Sequence, residues 1–153
     1  MSSRSSHSAL SHTDSFASNS ADVVQLVGRI LFGALFLASG WGKLTNVPGA
    51  TAYFTGLGVP SPEMMPYLVG SLETVLGVAL ILGLATRYAA IIAFLFVVVA
   101  TAIAHRYWTY PAPAQGGQYV QFIKSLAIMG GALFVFVVGA GRFSVDAMLA
   151  KKR

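Results

Sequence analysis

The sequence predicts an all-α integral membrane protein, a four-helix bundle with a short interfacial helix between spans 1 and 2. Composition is the first reason: 56% of the 153 residues are hydrophobic and 10% are charged, against roughly 25% charged in soluble domains. With a mean hydropathy of +0.70, a chain this short has too little polar surface to cover its apolar residues in water. The second reason is four apolar runs, at about 23–42, 66–84, 88–107 and 120–140. Each approaches the ~20 residues needed to cross ~30 Å of hydrocarbon as a helix. The third is that glycines and ionisable residues inside these runs recur in steps of three and four, the spacing of one helix face.

The same composition excludes other classes. The net charge of +5 and pI near 9.8 come from basic residues at the ends of apolar runs and in the tail, so no nucleic-acid partner is expected. The chain has no cysteine, which rules out disulfides, thiol redox chemistry and iron–sulfur ligation by its own residues. One domain is expected, at 22–142. The serine-rich segment 1–21 lacks the apolar core of a secretory signal and reads as a disordered cytoplasmic tail, with a phosphorylated or partner-binding tail as the alternative. Residues 143–153 read as a basic cytoplasmic tail ending Lys151-Lys152-Arg153.

Asp22, or Ser20 before it, can cap the first span. Arg29, Gly33, Phe36, Gly40 and Lys43 share one stripe of it, and Ala34, Ala38 and Gly42 form a second line of small residues. Both favour close approach of another helix. After it, Asn46 and Pro48 can start a short helix and Gly56 and Gly58 can stop it. Tyr53, Phe54 and Leu57 give that helix an apolar side for the membrane surface.

In the second span Pro66, Gly70, Glu73, Gly77 and Leu80 share a face. A carboxylate at mid-membrane costs roughly 2.5 kcal/mol or more, so Glu73 needs partners, and Arg29, Lys43, His105 and Lys124 are the candidates. Gly83 ends this span and Arg87 opens the next. The third span places Phe94, Val98, Thr101 and His105 on one stripe, before an aromatic belt at Trp108 and Tyr110 and a loop containing Pro111 and Pro113. The fourth has Lys124, Ala127, Gly131, Val135 and Val138 as its expected inward stripe.

Four spans leave both termini on one side. That side carries Arg4, Arg87, Arg142, Lys151, Lys152 and Arg153, against Lys43 and Arg106 on the other. The positive-inside rule makes both termini cytoplasmic. Lys43 and His105 then lie at the outer ends of their helices, and Lys124 and Glu73 roughly 7 to 10 Å deep at 1.5 Å per residue. A polar pocket in the outer half of the bundle follows. Arg29 enters from the inner face.

Two uses of such a pocket stay open. An ion pair of Glu73 with Lys43 or Lys124 can simply lock the bundle. Alternatively the polar groups bind the headgroup of an amphipathic ligand, such as a quinone, while aromatics hold its apolar body. Metal and haem ligation are disfavoured, because His105 is the only histidine outside the tail. No phosphate or dinucleotide fingerprint is present.

The ordered set Gly40-Trp41-Gly42-Lys43-Leu44, Gly58-Val59-Pro60, Glu73 with Gly77 and Gly83, Arg87-Tyr88-Ala89-Ala90, then Ala100 and His105 resembles the DoxX family of small four-span membrane proteins. Arg29, a turn before Phe32 and Phe36, fits the same pattern, and the resemblance covers roughly Val23 to Ala140. It implies a multi-pass protein of a bacterial or archaeal cell membrane, in a family associated with a terminal quinol oxidase and with thiosulfate:quinone oxidoreductase activity. Carried over by position, its polar residues are Arg29, Lys43, Glu73, Arg87 and His105. Lys124 is this sequence's own.

The resulting expectation is a quinone-interacting subunit of a membrane redox system, at most the membrane subunit of a quinone-linked oxidoreductase. Glu73 would accept hydrogen bonds or carry a proton, with Lys43, Lys124 and His105 as donors. The expected cofactor is a quinone with no covalent group, and the expected partners are the lipid bilayer and other membrane or redox proteins. The main alternative is a non-enzymatic scaffold or assembly factor. A solute carrier comes third, since four spans are few for one chain.

Overall fold

The computed structural model describes residues 3–152, and these contain helices and turns but no strands. The helices are α1 (Ser3–Thr45), α2 (Val47–Gly56), α3 (Met65–Leu82), α4 (Thr86–Ala104), α5 (Ala112–Val138) and α6 (Val145–Ala150), with a 3-10 turn at Tyr107–Thr109. Four segments are long and apolar enough to span a membrane: Ser20–Thr45, Met65–Leu82, Thr86–Thr109 and Ala112–Val138. Large apolar side chains such as Leu31, Val75 and Phe134 point outward and stay exposed, as a lipid solvent requires.

The antiparallel pair α1–α3 is the tightest in the bundle, and glycines make it so. A Cβ on Gly40 would stand 2.6 Å from the Gly70 carbonyl oxygen, and one on Gly77 would stand 2.5 Å from the Leu37 amide nitrogen. The glycine stripes read from the sequence on the two helices therefore face each other. Phe36 is packed between them, with Leu76, Leu80, Ala89, Ala93 and Val97 completing the core. This contact brings the backbone that carries Glu73 against the backbone that carries Lys43.

The inward faces of the other two spans differ from expectation. In α4 the buried residues are Thr86, Ala89, Ala90, Ala93, Val97, Thr101 and Ala104, while Val98 faces outward. In α5 they are Ser125 and Ala132, and Lys124 and Ala127 are exposed. Small side chains take the crowded positions because they let neighbouring backbones approach. Thr101 and Val135 of the expected stripes do face inward, whereas Val98, Lys124, Ala127 and Val138 do not.

The ends also differ. Where disorder was expected over 1–21, helix α1 runs on from Ser3, with Met1 and Ser2 outside the described residues. No proline or glycine lies between Met1 and Val27, so a helix nucleated by the span can propagate backward with one hydrogen bond gained per residue fixed. Helix α5 starts at Ala112 rather than near 120. Pro113 occupies its first turn, where a missing amide hydrogen costs nothing. The short helix α2 forms as expected, with Asn46 accepting from the Gly49 amide at 3.2 Å. Helix α3 ends at Gly83, whose φ of +67° suits a residue without a Cβ.

Residues after 142 are more than a basic tail. Ser144 caps α6 by accepting from the Ala147 amide at 3.1 Å. Asp146 reaches back to the α3–α4 turn, accepting from the amides of Ala85 at 2.7 Å and Thr86 at 2.9 Å. Its own amide donates to the Gly83 carbonyl at 2.9 Å. The first turn of α4 is thus capped by a carboxylate 60 residues further along the chain, which satisfies donors the helix itself cannot.

Candidate functional site

Lys43 and Glu73 form the one ion pair among the described residues, Nζ to Oε2 at 2.7 Å. Lys43 stands one turn after Ser39 on α1, so its ammonium also donates to Ser39 Oγ at 2.8 Å. The Ser39 hydroxyl in turn donates to Glu73 Oε1 at 3.2 Å. Three side chains thus close a ring of charge-assisted hydrogen bonds, the stronger kind. Glu73 is almost fully buried, whereas Lys43 keeps 21% of its side chain exposed. An ammonium has three donors. Glu73 and Ser39 take two, and the remaining protein contact, to the Ser39 carbonyl, is a long 3.5 Å.

That exposed part of Lys43 faces a cavity of about 910 Å³ between α1, α2, α3 and α4. Its walls are mainly apolar, with Phe54, Leu72, Phe96 and Ile103 among them, and the polar groups Ser39, Lys43, Asn46, Tyr53, Glu73, His105 and Gln121 also line it. Helix α2 forms one wall. On it, burial pushes the Tyr53 phenol above its ordinary pKa, and the neighbouring Tyr110 and Glu73 push it further, so the hydroxyl remains a donor.

His105 ends α4 and lines the same cavity. Its Nδ1 lies 2.9 Å from Gln118 Oε1 on α5, and Tyr110 Oη donates to the neighbouring Ala104 carbonyl at 3.0 Å. Beyond it, Tyr107 packs edge-on against Trp108, Tyr119 and Phe122. This aromatic group stands near the adjoining ends of the membrane-length segments Thr86–Thr109 and Ala112–Val138, the kind of position that aromatic belts favour.

Of the residues singled out in the sequence, the structure brings together Lys43, Glu73 and His105. It does not bring Lys124, which is exposed on α5 and absent from the cavity wall. The neighbouring Ser125 takes the inward position, because a hydroxyl donating to the Gln121 carbonyl is cheaper to bury than an ammonium. Arg29 is not in the cluster either. It lies 14 residues before Lys43 on α1, about 21 Å away along the axis.

At that opposite end Arg29 is buried, 3% exposed. It donates to the carbonyls of Ala140, Phe143 at 2.6 Å and Ile81 at 3.4 Å. Arg87 donates to the Phe136 carbonyl at 2.8 Å. Two cations thus serve the carbonyl-rich end of α5, where positive charge is favoured. Sequence reasoning missed Ser39, Tyr53, Gln118 and Asp146. Ser39 alone had a local signal, its four-residue spacing to Lys43. The others come from segments whose approach only the fold determines.

Four apolar helices with a charged pair buried at one end define a multi-pass membrane protein. The pattern shared by DoxX proteins matches residues 24–106, which takes in the first three spans and the whole Lys43–Glu73–His105 set. The chain belongs to the DoxX family. Among its relatives, the inner membrane protein YqjF of Escherichia coli is 37% identical over 131 residues, 86% of this chain and 95% of that protein. The inner membrane protein YphA of the same organism is 30% identical over 125 residues, 81% of this chain and 89% of its own. CatD of Bacillus subtilis, whose name proposes an oxidoreductase, is 32% identical over 68 residues, 44% of this chain and 49% of its own. No solved structure matches the chain significantly.

Proposed function

We propose that this protein is a quinone-interacting subunit of a membrane redox system, with the cavity beside Lys43 and Glu73 as the binding site. The observation that carries the reading is that Lys43, partly exposed from its ion pair with the buried Glu73, lines a mainly apolar cavity of about 910 Å³. That volume lies in the usual range for small-molecule sites, about 300–1,000 Å³. A quinone offers carbonyl acceptors on a flat apolar ring, and these residues fit it. Lys43 and Tyr53 supply donors, Glu73 pairs with Lys43 in an otherwise apolar wall, and Phe54 and Phe96 offer aromatic faces for the ring. The oxidoreductase name of CatD supports the redox class. We also place both termini on the cytoplasmic side, because Arg87, Arg142, Lys151 and Lys152 gather at their end of the bundle.

The test is mass spectrometry of small molecules retained by the protein in native lipid discs, beside Glu73→Gln. An isoprenoid quinone enriched over bulk lipid with the wild type, and depleted in the variant, supports the reading. Bulk lipid alone in both makes the ion pair structural and moves the assignment to a membrane scaffold.

A further inference from the structure

The end of the bundle opposite the cavity carries positive charge that the protein itself does not use. Arg29 and Arg87 there donate to backbone carbonyls, and the carboxylate of Asp146 is occupied by the amides of Ala85 and Thr86. Arg142, Lys151 and Lys152 are exposed. None of these three side chains has a hydrogen-bond or ion-pair partner among the described residues.

Apolar side chains stand among these cations. Phe143, just before α6, and Met148 and Leu149 within it are large and exposed. They follow the last membrane-length segment, which ends at Val138, so they lie at its edge rather than at mid-depth. Free cations and exposed apolar side chains just past a span form an interfacial anchor. The apolar groups enter the headgroup boundary, and the cations meet anionic headgroups there.

We infer that this end is a binding surface for anionic phospholipid headgroups, and that their binding holds the α3–α4 turn closed. Asp146 makes the connection. It lies between Arg142 and Lys151 in the chain, its carboxylate caps α4, and its amide donates to the Gly83 carbonyl. Docked in this way, α6 brings its cations to the turn that carries Leu84, Arg87 and Tyr88, which are exposed as well. Undocking divides that surface. Lipid that binds the whole surface therefore favours the docked form by mass action. The inference is independent of what occupies the cavity.

The experiment places the full chain in lipid discs of phosphatidylcholine alone, or of phosphatidylcholine mixed with phosphatidylglycerol, and follows amide hydrogen exchange. Ala85, Thr86 and Asp146 should exchange about fivefold or more slowly in the mixed discs, the factor that one basic residue supplies at an anionic surface. Phe54 and Leu57, at the other end, should not change. The variant Arg142→Gln/Lys151→Gln/Lys152→Gln keeps every bond of the Asp146 cap and should exchange equally in the two lipids. Equal exchange of the wild type in both lipids overturns the inference, and so does slowing that survives in the triple variant. Slowing that inorganic phosphate reproduces in phosphatidylcholine discs would make this a site for free anions and overturn the lipid assignment.

Discussion

Lys43 Nζ lies 2.7 Å from Glu73 Oε2, and the two differ in exposure: 21% of the lysine side chain but 7% of the glutamate. The asymmetry predicts unequal costs. Lys43→Met strands a buried carboxylate and should destabilise by about 3 kcal/mol, as breaking a buried pair from one side does. Glu73→Gln leaves an ammonium that can turn toward the cavity, and should cost less. The double variant Lys43→Met/Glu73→Gln should regain much of the loss. Thermal melts of the four proteins in one detergent check this, and additive costs would show that the pair is not coupled.

The α1–α3 contact predicts a sharp contrast among glycines. Gly77→Val should prevent the two helices from docking, because the first added atom already meets Leu37 backbone at 2.5 Å. Gly116 lies within α5 with nothing within 4 Å of a Cβ. Gly116→Ala should therefore be neutral or stabilise by about 0.5–1 kcal/mol, from helix propensity alone. Yield of monodisperse protein and melting temperature report both, and a well-folded Gly77→Val would remove the glycine contact as the organiser of the bundle.

These glycines also show why so much of the fold could be read from sequence. Gly33, Gly40, Gly70 and Gly77 are small, regularly spaced and set in long apolar runs, so helix periodicity alone assigns them to a packing face. Glu73 and Lys43 were legible because charge within a membrane span demands a partner. Lys124 misled for the same reason. It met the demand on paper, but the burial of Ser125 turns α5 so that the lysine faces out. Asp146 and Gln118 carry no periodic signal. Their partners lie 60 and 13 residues away, across turns whose geometry local sequence does not state.

Asp146 supplies an acid-side prediction. Burial raises its carboxyl pKa, but the hydrogen bonds from Thr86 and Ala85 and the charge of Arg29 outweigh that and hold it below the ordinary aspartate value of 3.8. A carboxyl depressed in the folded state binds protons more weakly there than when unfolded. Its contribution is therefore complete above the unfolded value and is lost as pH falls through the folded one. The wild type should lose stability on acidification below about pH 4, where aspartate protonates, and Asp146→Asn should lack that part of the slope. At neutral pH the variant should be weaker by about 1 kcal/mol, the scale of a lost helix cap. Melting temperature against pH for the two proteins decides it, and parallel curves would mean that the carboxylate is not coupled to folding.

Arg29 bridges three carbonyls that belong to two separate segments, Ile81 at the end of α3 and Ala140 and Phe143 beyond α5. A planar guanidinium reaches all three at once, whereas an ammonium acts as a single point. Arg29→Lys should therefore release the segment after α5, and with it the Asp146 cap, while leaving the Lys43–Glu73 end about 21 Å away undisturbed. Amide hydrogen exchange is the measurement. Faster exchange is expected at Ala85, Thr86 and Asp146, with no change at Phe54 and Leu57 beside the cavity. Since Arg29 lies at the end shared by both termini, a C-terminal reporter should be active on the cytoplasmic side alone, and a signal from the far side would invert the orientation proposed for the cavity. Loss of protection at both ends of Arg29→Lys would instead mean that the bundle unfolds as one unit, with no independent latch at the Arg29 end.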